Sequence, residues 1–167
     1  MLKIAHIGDI HIRKYKYDYS EVFKSLYTSL IDENIDLIII CGDIFHDKVT
    51  KSGFEDYMVH NFLSKLSSIA KIVLIEGNHD VDINKADDIS LLDSVIEFNK
   101  DVYNKITMYK KTGVYEYKIQ NKKGDDIDII FGVVAPYKRK SDSENVYESI
   151  RIPDISSKYN KIKIGLF

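Results

Sequence analysis

Asp36-Leu37-Ile38-Ile39-Ile40-Cys41-Gly42-Asp43-Ile44-Phe45-His46 decides the organisation of the chain. Four branched aliphatic residues in a row, with no polar alternation, make the pattern of a strand buried on both faces, Asp36–Ile40. A polar cluster, Gly42-Asp43-Ile44-Phe45-His46, follows immediately. The same arrangement recurs on either side. Lys3–Ile7 reads as a strand running into Gly8-Asp9-Ile10-His11, and Lys71–Glu76 as a strand running into Gly77-Asn78-His79-Asp80. Between these strands lie two amphipathic segments. Ser20–Glu33 reads as a helix with Ser20 as its N-cap. Ser52–Ala70 carries Phe54, Tyr57, Met58, Phe62, Leu63 and Leu66 at helical spacing. A strand–helix–strand–helix–strand order predicts a parallel sheet with right-handed crossovers.

Ala86–Phe98 predicts one more helix, and after about residue 105 the pattern changes. Ile106–Tyr109, Val114–Ile119 and Ile127–Val134 read as consecutive strands, the last two joined by a hairpin turn through Gln120–Asp125. Lys161–Phe167 reads as another strand, and the sequence stops inside it. The expected fold class is therefore α/β, a mixed β-sheet sandwich flanked by helices. A single domain over residues 1–167 is expected, incomplete at its C-terminal end.

Composition is that of a soluble globular domain, with 44% hydrophobic and 30% charged residues in 167. No apolar run approaches the roughly 20 residues of a membrane span. The N-terminus lacks the apolar stretch and small-residue cleavage site of a secretory signal. The lone cysteine, Cys41, rules out an internal disulfide and fits a reducing, intracellular setting. A net charge of −2 gives no global basic field for nucleic acid, although bound metal could supply positive charge locally.

The three polar clusters are separated by 34 residues (Asp9 to Asp43) and 35 residues (Asp43 to Asn78), one strand–helix–strand unit each. In a parallel sheet the carboxyl ends of such strands lie side by side, where open α/β folds place ligands. What converges is two carboxylates, a carboxamide and histidines, without sulfur. That donor set suits Mn²⁺, Fe or Zn²⁺ better than Cu⁺, and its histidines argue against Mg²⁺ or Ca²⁺ alone. Asp43, on the central strand of the three, is placed to bridge two metals. A pair of divalent ions about 3.5–4 Å apart activates water and clamps the oxygens of an in-line displacement at phosphorus. Each cluster taken singly has a plainer reading, since Asp and Asn after strands cap helices and glycines serve tight turns.

Asp9-x-His11, Gly42-Asp43 and Gly77-Asn78-His79-Asp80 together resemble the calcineurin-like metallophosphoesterase superfamily, over nearly the whole chain. Three longer strings are similar to its DNA repair exonuclease branch: Ala5-His6-Ile7-Gly8-Asp9-Ile10-His11, Gly42-Asp43-Ile44-Phe45-His46 and Ile75-Glu76-Gly77-Asn78-His79-Asp80. That branch comprises SbcD-type nucleases, the double-strand-break repair nuclease and phage recombination endonucleases. The resemblance implies a metal-dependent DNA exo/endonuclease subunit using two divalent metals, Mn²⁺ before Fe or Zn²⁺. It implies that Asp9 and His11 bind the first metal, Asp43 bridges and Asn78 binds the second. His79 would stabilise the transition state or protonate the leaving group, and His46 would stand near the scissile phosphate, unless it is a plain surface-loop residue. DNA, an SMC-like ATPase subunit and a homodimer are the implied partners. The family completes its site with three further histidines, whereas the five here are His6, His11, His46, His60 and His79. One well-held metal and little hydrolysis by this chain alone are expected. Two other readings stay open: a metallophosphoesterase for phosphoproteins or small phosphodiesters, and a non-catalytic scaffold. An intracellular protein, of a cell or encoded by a virus, fits all three.

Weaker signals remain. Arg13-Lys14-Tyr15-Lys16 interleaves basic and aromatic residues, as a loop holding a DNA backbone would, or as a solvated loop with locally packed tyrosines. Tyr137-Lys138-Arg139-Lys140 reads as an exposed basic loop. His6 is expected as a hydrogen-bonded core histidine, His60 on a helix surface, and Cys41 as a small buried residue. Helices Ser52–Ala70 and Ala86–Phe98 match where the branch dimerises, but their aromatic residues fit a core equally well.

Overall fold

The computed structural model describes residues 1–13, 18–46, 53–81, 90–97, 103–135 and 162–166. β1 (Ile4–Gly8), β2 (Leu37–Cys41), β3 (Lys71–Ile75) and β4 (Ile106–Tyr109) form one all-parallel sheet in that order. The helices α1 (Tyr19–Asp32), α2 (Gly53–Ile69) and α3 (Leu91–Glu97) occupy the crossovers. A second sheet holds β5 (Gly113–Gln120), β6 (Asp126–Val133) and β7 (Ile162–Leu166), with β5–β6 antiparallel and β6–β7 parallel.

The uninterrupted apolar run of β2 has the burial it predicts, because each face meets a different core. Ile38 and Ile40 join Ile72 and Leu74 of β3 against the helices, through Phe23, Phe62, Leu63 and Leu66. Leu37 and Ile39 join Val73 and Ile75 against the second sheet, through Ile129, Phe131 and Val133. The result is three layers, helices on sheet on sheet. Asp36 fastens the two sheets at one end. Its Oδ2 accepts from the Lys3 amide and its Oδ1 from the Lys122 amide, both at 2.8 Å, tying the starts of β1 and β2 to the β5–β6 hairpin. Burial pushes this carboxyl up, but the two N–H donors, with the positive charges of Lys122 and the chain's N-terminus, hold it below the usual carboxylate range.

Several local expectations are corrected. The N-cap of α1 is Asp18, whose Oδ1 accepts from the Ser20 amide at 2.9 Å, so Ser20 already lies inside the helix. The other end closes with Asn34 in the left-handed conformation. Asn34 donates to the Ile31 carbonyl at 2.9 Å and Ile35 to the Leu30 carbonyl at 3.2 Å, a Schellman arrangement. β4 is the fourth parallel strand, so the switch to consecutive strands comes at β5. A four-residue apolar run does not itself say which sheet it enters; the helix before it decides. His6 is exposed, because among the described residues β1 is an edge strand that the second sheet does not cover. His60 is half-buried, with Nδ1 2.6 Å from the Tyr103 hydroxyl. Cys41 is half-buried rather than buried, and burial pushes its thiol up to about 11. The aromatic residues of α2 divide, with Phe62 in the core and Phe54 and Tyr57 exposed.

Among the described residues, no helix is long and apolar enough to cross a membrane. Lys14, Tyr15, Lys16, Ser52, residues 82–89 and Tyr137–Lys140 lie outside the described residues.

Candidate metal centre

The register of the first sheet brings the three polar clusters together. Gly8 is level with Cys41, and Cys41 with Ile75, so the three strands end in one row and their following loops rise side by side. The loops after β1 and β2 then continue as a short ladder. His11 donates to the Asp43 carbonyl at 2.9 Å and Ile12 to the Ile44 carbonyl at 2.8 Å, with Ile12 bridging Phe45 in parallel. Ile12, Ile44 and Phe45 are fully or almost fully buried and give the site an apolar floor.

The loops after β2 and β3 touch through glycine. A Cβ on Gly77 would lie 2.1 Å from Asp43 Oδ1 and 2.2 Å from the Asp43 amide nitrogen. A Cβ on Gly42 would lie 2.4 Å from the Gly77 backbone. Only glycine permits this approach. Asp80 then clasps both loops. Its Oδ1 accepts from the Ile44 and Phe45 amides at 3.0 Å, and its Oδ2 from the Gly77 amide at 2.9 Å. Burial pushes the Asp80 carboxyl up to about 6, against the pull of these three donors. The Asp80 carbonyl in turn accepts from Leu91 at 2.9 Å at the start of α3, where Ser90 and Asp93 form a reciprocal cap.

On this frame sit the polar side chains. Asp9, His11 and Asp43 each offer a ligand atom within 4.8 Å of the others, and so do His11, His46 and His79. His11 Nε2 is 4.0 Å from Asp43 Oδ2. The three imidazoles are neighbours, with ring centroids 4.8 Å apart for His11–His79 and 5.3 Å for His11–His46. Asn78 is exposed in the turn beside them. Arg13 flanks the first loop, its amide donating to the Tyr19 hydroxyl at 2.9 Å.

Two observations test whether these residues fit a metal. Asp9, His11 and Asp43 all have positive φ, near 50°, a costly conformation for residues with side chains and one that clusters at functional sites. His11 Nδ1 is buried and has no hydrogen-bond partner among the described residues, so this ring nitrogen calls for some other partner. Oxygen and imidazole donors in this mixture fit a first-row divalent ion.

A sequence model of calcineurin-like phosphoesterases matches residues 2–163, a span that takes in all three loops. The chain belongs to that family. Its members are hydrolases that use divalent metals. An uncharacterized protein of Acanthamoeba polyphaga mimivirus is 33% identical over 140 residues, 81% of this chain and 10% of that protein. The DNA double-strand break repair protein Mre11 of Archaeoglobus fulgidus is 27% identical over 86 residues, 47% of this chain and 19% of that one. A subunit of the nuclease SbcCD of Bacillus subtilis is 34% identical over 87 residues, 47% of this chain and 22% of that one. Among solved structures, a nuclease of Pseudomonas putida, MPE, aligns with a TM-score of 0.42 at 22% identity, covering 78% of this chain and 52% of that one. The matched segments thus span between 10% and 22% of the curated relatives' lengths.

Sequence reasoning did not single out two buried carboxylates beside these loops, Asp80 and Glu76. Asp80 was visible only as the last letter of a motif, because its three donors lie in two separate loops. Glu76 is 4% exposed, and burial pushes its carboxyl up to about 6. Its signal was an acidic residue where a both-faces-buried strand ends.

Proposed function

We propose that the chain is the metal-binding part of a DNA phosphodiesterase, a nuclease subunit of the repair-exonuclease kind. The observation that carries the reading is the meeting of Asp9, His11, Asp43, His46 and His79 at three adjacent strand ends. The names of the relatives add weight, since one is a nuclease subunit and another a DNA break repair protein. Asp9 and His11 would hold the first metal, Asp43 would be shared, and Asn78 would serve the second. When bound, divalent metal supplies an activated water and neutralises charge on the phosphate. Mn²⁺ is our choice, and with no histidine beyond residue 79 only one ion is well held by these residues.

The chain's own groups do the rest. The His79 amide donates to Asp43 Oδ1 at 2.9 Å, which fixes that carboxylate's rotamer. His79 Nδ1 is hydrogen-bonded to the His46 carbonyl oxygen, which can only accept. The proton therefore resides on Nδ1, and Nε2 is the nitrogen that exchanges a proton. We assign Nε2, once it has taken up a proton from solvent, to passing that proton to the leaving oxygen, and His46 to contacting the scissile phosphate. Arg13, Lys14, Tyr15 and Lys16 are assigned to the DNA backbone, and an SMC-like ATPase subunit and a second copy of the chain to the assembly.

The test is cleavage with Mn²⁺ of end-labelled single- and double-stranded DNA, beside a chromogenic phosphodiester and an Asp43→Asn control. We expect slow DNA cleavage, at least tenfold above the control and above turnover of the chromogenic diester. Faster turnover of the chromogenic compound would make the chain a phosphodiesterase for small substrates. Equal rates for chain and control would make it a non-catalytic scaffold.

A further inference from the structure

A groove of about 390 Å³ runs between α1 and α2 on the helix layer, and none of the metal-site residues lines it. Its walls come from one helix each, and its character is apolar: Phe23 and Tyr27 from α1 and Met58 from α2 line it, with Ile31, 54% exposed, at one end. Phe23 and Tyr27 rest on Phe62 of the core, with ring centroids at 4.6 and 6.2 Å, so these aromatic walls are held by the interior. A cleft between two neighbouring helices, about three turns long from the α1 side, matches the shape that receives one further helix through residues at i, i+3, i+4 and i+7.

The charge of the groove names the kind of helix. Among the described residues, Lys24 on α1 and Lys65 on α2 are the only charged ones lining it, one on each wall. Among the described residues neither ammonium group pairs with a carboxylate. Cations on both rims of an apolar cleft complement a segment with an apolar stripe bordered by acidic residues, and repel a basic one. A groove for a small molecule would hold several converging polar groups, whereas here the lining surface is mostly apolar.

We propose that the α1–α2 groove is a docking site for an acidic amphipathic helix of a partner protein. The site is separate from the metal centre and does not depend on the nuclease reading. The test is panning of a displayed library of 14-residue helical peptides against the chain, with a Lys24→Glu/Lys65→Glu chain as counter-target. Enriched peptides should carry apolar residues at helical spacing bordered by Asp or Glu. They should bind the wild-type chain at least tenfold more tightly than the double variant, and lose binding to Met58→Arg, which fills the cleft. Metal binding by both variants should equal wild type and so report an intact fold. Enrichment of basic peptides, equal binding to the counter-target, or no enrichment would each overturn the proposal. A dimer in sedimentation velocity that Met58→Arg dissociates would assign the groove to a second copy of the chain instead.

Discussion

Asp80→Ala should lower the melting temperature by about 10 °C and weaken Mn²⁺ binding at least tenfold. The carboxylate has no exposed surface and is the common acceptor for the amides of Ile44, Phe45 and Gly77. Removing it leaves three buried N–H groups without an acceptor, at about 1–3 kcal/mol each before any rescue by water. Even a total of about 3 kcal/mol corresponds to roughly 6–12 °C in a domain of this size. The metal effect follows because two of those amides belong to the loop of Asp43 and one to the loop of Asn78. Asp80→Asn keeps one oxygen acceptor for Ile44 and Phe45 but turns an NH₂ toward Gly77, so it should fall between wild type and alanine. Thermal melts and metal titrations on the three proteins check this. An alanine variant that melts with wild type would show that the loops hold themselves together.

Gly77→Ala is expected to be as damaging, for a steric reason. The added methyl would overlap both Asp43 Oδ1 and the Asp43 amide nitrogen, at 2.1 and 2.2 Å. Turning the Asp43 side chain relieves only the first overlap; the second requires the β2 and β3 loops to separate. Separation breaks the His79 amide's bond to Asp43 and moves a carboxylate away from His11. We expect loss of metal affinity by more than tenfold together with poor soluble yield. Gly53→Ala is the matched control, since its Cβ would meet nothing within 4 Å at the exposed start of α2. Equal metal affinity in Gly77→Ala and Gly53→Ala would contradict the packing of these loops.

Much of this arrangement could be read from sequence, for a physical reason. A strand buried on both faces has to be apolar throughout, so Leu37–Ile40 declared both its burial and its place inside a parallel sheet. Once three such strands were placed side by side, the register of Gly8, Cys41 and Ile75 made the meeting of Asp9, His11, Asp43 and His79 a matter of geometry. What could not be read depended on partners distant in sequence. Tyr103 finds His60 across 43 residues, and Asp36 finds Lys122 across 86. The N-cap of α1 slipped from Ser20 to Asp18 because both residue types cap well and only the backbone chooses between them. His6 looked like a core residue because its strand neighbours are apolar, and the strand's place at an edge was not in the pattern. The left-handed backbone at Asp9, His11 and Asp43 was likewise invisible, since nothing in a residue's identity records that the fold will hold it there.

The central claim, that these three loops form a metal centre, is tested most directly by calorimetric titration of the chain with Mn²⁺ beside Asp43→Asn. Asparagine keeps an oxygen for the His79 amide and tolerates positive φ, so the loops stay closed while the charge is lost. One tightly bound Mn²⁺ per chain is expected, with affinity at least tenfold weaker in the variant. Binding that is absent from the wild-type chain, or unchanged by the substitution, would contradict it.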